Sequence, residues 1–75
     1  MILFNGTGVY ETSAVENFSQ DITVKVDGLD IVVSHYDTKG RAQDVLRELV
    51  GFLDMDIKER AAAFGTTNVY KLPVR

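Results

Sequence analysis

At 75 residues the chain has room for one domain, and it sits near the lower limit for folding alone because short chains bury the smallest share of their surface. It has no cysteine and a single histidine, which excludes a disulfide staple or thiolate site and leaves little for nucleophilic or metal catalysis. An apolar fraction of 45% is that of a globular chain rather than a disordered one, no apolar run approaches the ~20 residues of a membrane helix, and a net charge of −3 is far from the basic excess of duplex-binding domains.

The charge is uneven. Residues 1–38 hold six acids and one base, and residues 39–75 hold five acids and seven bases. Besides keeping the protein in solution, an acidic half offers a face for a basic surface on another macromolecule.

The chain opens with Ile2, Leu3 and Phe4, read as a short strand, and Asn5-Gly6 is placed to turn it into a second strand holding Val9 and Tyr10. Gly8 is a candidate bulge. The glycines of Asn5-Gly6-Thr7-Gly8 are followed by no lysine and open no helix, so they do not make a phosphate loop. The start has no basic region and too short an apolar stretch for a signal peptide, which reads as a cytoplasmic, soluble protein without a membrane partner. Thr12 to Gln20 is polar and reads as a connector.

The segment 21–36 organises the rest. Asp27-Gly28 supplies the two residues that tolerate positive φ in a type I′ turn. A two-residue turn sets Val26 opposite Leu29, Val24 opposite Ile31 and Ile22 opposite Val33, six apolar residues on one face. The other face pairs Lys25 with Asp30, Thr23 with Val32 and Asp21 with Ser34. One covered face and one solvated face imply an antiparallel sheet. By the same alternation His35 falls on the core face near the strand's end, with Asp37 close enough in sequence to bond it. Ser34 and His35, being adjacent in a strand, point to opposite faces and cannot form a nucleophile–base pair.

Thr38 or Asp37 can cap the helix that follows. Ala42, Val45, Leu46, Leu49, Val50 and Leu53 recur at helical spacing, while Arg41, Gln43, Asp44, Arg47 and Glu48 form a solvated side with Arg41–Asp44 and Asp44–Arg47 pairs in reach. Gly51, and Phe52 and Met55 falling off the stripe, predict a bend or stop near Asp54. Asp56 and Glu59 have capping-box spacing and Gly65 suits a helix stop, which predicts a second helix over 57–64 with Ile57, Ala61 and Phe64 inward. A single helix from 39 to 64 is the alternative.

The tail has two readings. Tyr70, Leu72 and Val74 alternate with Lys71, Pro73 and Arg75, as in a strand over 68–74, and Pro73 puts that strand on an edge. Alternatively, residues 57–72, with an alanine before the end of a first helix, Gly65 at a turn and Val69 as inward anchor, resemble a helix-turn-helix unit. That resemblance implies a recognition helix over 66–72 that presents Thr67, Asn68, Lys71 and Arg75 to nucleic acid. Pro73, the acidic balance and the strand propensity of 69–72 favour the strand.

These readings give an α+β fold: a small antiparallel sheet built on hairpin 21–36, packed against the helical segment 39–64, extended by the N-terminal strand and closed on an edge by 68–74. The expected core is Ile22, Val24, Val26, Leu29, Ile31, Val33, Val45, Leu46, Leu49, Val50, Leu53 and Ile57. Asp54-Met55-Asp56 lacks the glycine and later ligands of a calcium loop, so neither a metal nor another cofactor is expected, and the chain reads as a non-enzyme. The function expected is a binding module for a larger protein or nucleoprotein partner, using Asp21, Lys25, Asp27, Asp30 and Asp37, or Arg41, Asp44, Arg47 and Glu48 on the helix exterior. The layout is similar to that of small phage-encoded antagonists, anti-CRISPR proteins among them, which implies an inhibitor that works by covering a surface. A DNA-binding regulator using 57–75 and a homodimer built on an exposed strand edge are the other two readings.

Overall fold

The computed structural model describes every residue except Ser13. In chain order the elements are β1 (Ile2–Phe4), β2 (Val9–Glu11), β3 (Val15–Phe18), β4 (Asp21–Val26), β5 (Leu29–His35), α1 (Lys39–Asp54), α2 (Ile57–Phe64) and β6 (Val69–Lys71). The strands make two three-stranded sheets, ordered β2-β1-β6 and β3-β4-β5, and α1 packs across β3 and β4. The fold is α+β with the hairpin sheet packed on helix, as the periodicity predicts.

Asp27 (φ 51°) and Gly28 (φ 80°) both take the positive φ that a twisted two-residue turn needs. From the turn the pairs run Val26–Leu29, Lys25–Asp30, Val24–Ile31 and Thr23–Val32. The register then shifts at a bulge beside Ile22 and Thr23, so Ile22 lies opposite Ser34 and Asp21 opposite His35, not Val33 and Ser34. One extra residue in β5 reverses the alternation beyond it. Val33 stays buried, but His35 leaves the core face predicted for it and bonds Asp21 rather than Asp37.

The third strand of this sheet comes from the stretch read as a connector. β3 pairs with β4 from Val15–Val24 to Phe18–Asp21, its residues alternating between half-buried and exposed. Neither the N-terminal strand nor the tail joins this sheet. β1 pairs antiparallel with β2 in an unbroken register, so Gly8 is no bulge. β6 runs parallel to β1 on the edge of the second sheet, spanning 69–71 rather than 68–74. Residues 66–72 therefore do not form a recognition helix.

The two sheets are tied by side chains. Asn5 Nδ2 donates to the Val33 carbonyl at 2.8 Å, while Asn5 Oδ1 accepts from Gly8 N at 2.7 Å and Thr7 N at 3.0 Å. The Tyr36 hydroxyl donates to the Pro73 carbonyl at 2.8 Å, and the buried Thr12 hydroxyl lies 3.1 Å from the Lys25 carbonyl.

Thr38 caps α1 by accepting from Arg41 N. The helix ends at Asp54, and Arg60 covers its last turn, donating to the carbonyls of Phe52 (2.9 Å) and Leu53 (2.8 Å) and also to that of Thr67 (3.0 Å). A capping box of Asp56 and Glu59 starts α2, and Gly65 (φ 73°) stops it. Two helices form, not one.

The core is Leu3, Ile22, Val24, Val33, Tyr36, Ala42, Val45, Leu49, Phe52, Tyr70 and Leu72. On α1 the buried stripe is Ala42, Val45, Leu49 and Phe52. Phe52, expected off the stripe, is buried because Phe64 and Tyr70 stand beside it, with ring centroids 5.1 and 5.4 Å away. Rotation toward those rings exposes Val50 and Leu53, which were expected inside. Leu46, Val26 and Ile31 are only half-buried, Leu29 near the hairpin turn is 67% exposed, and Ile57 is exposed. Of Ile57, Ala61 and Phe64, only Phe64 packs inward.

Candidate functional site

The broad uncovered surface is the outer face of β3-β4-β5, opposite the face that α1 covers. Register places its side chains in rows. Phe18, Asp21 and His35 form one row, Glu16, Thr23 and Val32 the next, and Lys25 and Asp30 the third. Three carboxylates (Glu16, Asp21, Asp30) thus stand around one ammonium (Lys25) and one imidazole. Lys25 Nζ lies 3.6 Å from Asp30 Oδ1, with both groups exposed, so the pair contributes little to stability and stays available to a partner. His35 Nδ1 and Asp21 Oδ1 are 2.6 Å apart.

Apolar groups break this polar field. Phe18 is 74% exposed and Val32 56%. An exposed aromatic ring among charges is the composition of an interface anchor. Phe18 and Glu16 were not among the residues expected to bind, because β3 was not read as a strand, and Val32 was placed on this face opposite Thr23 but not counted as a contact. Val15, Glu16, Asn17 and Phe18 run apolar, polar, polar, apolar, so the stretch carries no period-two signal although its burial in the structure alternates.

The sequence-predicted residues divide between surfaces. Asp21, Lys25 and Asp30 share the outer face, and Asp27 stands at the turn. Asp37 follows β5, where its carbonyl accepts from Gln20 Nε2 at 2.8 Å. Arg41, Asp44, Arg47 and Glu48 lie on α1, across the core from that face. There Asp44 pairs with Arg47 at 2.7 Å, while Arg41 donates to the Arg75 carbonyl from Nε (2.9 Å) and Nη2 (2.7 Å) instead of pairing with Asp44. Among the described residues the buried Tyr70 hydroxyl has no partner at hydrogen-bond distance and geometry, although Glu48 stands near it; burial, then the Glu48 charge and the pull of its carboxylate on the phenolic proton, push the Tyr70 phenol above its ordinary pKa.

The residues of the nucleic-acid reading are not gathered on one helix. The carbonyls of Thr67 and Asn68 bond Arg60 and Ile2 N, Lys71 ends β6, and the Arg75 carbonyl holds Arg41. Among the described residues no three His, Cys, Asp or Glu side chains gather as a metal site, and no helix is long and apolar enough to cross a membrane. No family model matches the chain, and no curated protein or solved structure matches it either.

Proposed function

We propose that the protein is a small non-enzymatic binding module that docks the outer face of β3-β4-β5 onto a basic surface of a larger protein. Its role is that of an antagonist that acts by covering that surface, as expected of a small chain with an acidic face. The observation that carries the reading is the exposed Phe18 ring set in the same face as Glu16, Asp21 and Asp30, an apolar anchor inside an acidic field.

The test compares the tagged native chain with three variants in capture from its own host: Phe18→Ala and Asp30→Lys on the face, and Asp44→Lys on α1. Asp27 is avoided because its positive φ makes substitution there a test of folding. The expected result is a species retained by the native chain and by Asp44→Lys but lost with Phe18→Ala and Asp30→Lys, all four chains keeping the same circular dichroism. Equal retention by the face variants, or turnover of any substrate, overturns the reading. So does low-salt retention of duplex DNA that disappears with Lys71→Ala.

A further inference from the structure

We propose that the free edge of β3, with the apolar flank of α1 beside it, accepts an extended segment of a partner chain as a fourth strand, one in which apolar and basic side chains alternate. The inference extends the docking reading above to a second, adjoining surface and names the chemistry of the occupant.

The edge is defined by hydrogen bonding. Lys25 N donates to the Ala14 carbonyl at 3.2 Å, and the register continues to Phe18–Asp21. Ala14, Glu16 and Phe18 therefore turn their main-chain groups toward β4, and Val15 and Asn17 turn theirs outward. Among the described residues none bonds those outward groups. The opposite edge of the sheet is partly closed, because Asn5 Nδ2 holds the Val33 carbonyl and brings the β1–β2 turn against β5. β3 carries no proline and no bulge to block addition.

The flank is defined by how α1 is rotated. Phe52 points to Phe64 and to Tyr70 of β6. Leu46, Val50 and Leu53 lie on the side of the buried stripe away from Phe52, and α1 packs across β3 and β4, so β3 is the strand edge nearest that side in the geometry we infer. Val50 and Leu53 are exposed and Leu46 half-buried. A strand laid along β3 sends alternate side chains to the two faces. Those opposite Val15 and Asn17 meet the α1 flank and are apolar. Those opposite Glu16 and Phe18 meet a carboxylate and a ring, which favours lysine or arginine.

A second copy of the chain is a poorer occupant. The antiparallel register joining Val15 to Asn17 of a second copy sets Glu16 directly opposite another Glu16, and like charges so placed repel. Strand addition to an edge beside a helix is an established mode of peptide capture, in which main-chain bonds give affinity and alternate side chains give selectivity.

The probe is a capped octapeptide of alternating valine and lysine, titrated against the full chain and followed by amide hydrogen exchange. Protection of the Val15 and Asn17 amides is expected to rise by about tenfold or more, and Val15→Pro to weaken binding by at least about tenfold. That variant removes an outward N–H no described residue uses, and an unchanged circular dichroism spectrum separates the lost edge from the lost packing of the Val15 side chain against the core. Glu16→Lys should turn the preference toward alternating valine and glutamate. Protection at Asp30 and Val32 instead, a dimer protected at Val15 without peptide, or binding indifferent to Val15→Pro overturns the proposal. So does no saturable binding. Binding that Phe18→Ala weakens without protecting the β3 edge removes the strand addition and leaves the outer-face reading standing.

Discussion

Replacing Tyr70 with phenylalanine should stabilise this protein, although it deletes a polar group from a native core. Tyr70 is 2% exposed, and its hydroxyl is a buried side-chain oxygen without a hydrogen-bond partner among the described residues. Burying a hydroxyl unpaired costs about 1–3 kcal/mol by protein mutational measures. The ring itself stays, still 5.4 Å from Phe52 and 5.9 Å from Phe64, and the void left by one oxygen returns only part of the gain. A net gain of about 1 kcal/mol follows, which raises the melting temperature by about 4–8 °C for a domain of this size. The pH dependence carries a second signature. Burial, with Glu48 adding to it, holds the folded Tyr70 pKa above the ordinary 10.0, so above that pH the unfolded chain gives up the proton first. The folded protein's stability is therefore intact below pH 10.0 and falls as pH rises toward the folded value. Tyr70→Phe lacks this loss, so its advantage should widen above pH 10.0, by at most about 1.4 kcal/mol per pH unit. Urea denaturation of both chains between pH 7 and 11 measures both effects. A variant less stable by more than about 1 kcal/mol at pH 7, or an advantage flat across the alkaline range, would refute the reasoning.

Other substitutions probe the packing and the caps. Phe52→Ala should destabilise by about 3–5 kcal/mol and Leu53→Ala by under about 1, a contrast read from denaturation midpoints that depends on which flank of α1 is buried. Asn5→Ala removes the tie to Val33 and the acceptor of its own turn, and should cost about 1–3 kcal/mol with exchange quickening at Gly8 and along β5. Asp56→Ala breaks the α2 capping box for about 0.5–2 kcal/mol. Gly65→Ala forces a side chain into φ 73° at the end of that helix for about 1–2 kcal/mol, and both losses should appear as reduced helicity before global unfolding.

The candidate face was half legible from residue order. Lys25 and Asp30 follow from the Asp27-Gly28 turn, because a two-residue loop leaves one register for the pairs nearest it. Phe18 and Glu16 were out of reach, since β3 is a strand only because β4 offers it a partner. His35 was placed on the wrong face because a bulge is a response of the whole sheet and leaves no mark in the alternation of one strand.

What the sequence alone determined are the features set within a few residues: the hairpin turn, the capping-box spacing of Asp56 and Glu59 and the Gly65 stop. Each is a matter of allowed φ or of a side chain bonding its own backbone, so no distant partner can change it. The choice of Thr38 over Asp37 as cap and of two helices over one was left to the structure. Only the tertiary structure decided which apolar residues go inside. The apolar positions of α1 span more of its surface than the sheet can cover, and the rings of Phe64 and Tyr70 drew Phe52 inward and turned Val50 and Leu53 out. The same holds for the strands, whose edges accept any neighbour of suitable geometry. β6 took the edge of β1, and β3 was left with an edge of its own free.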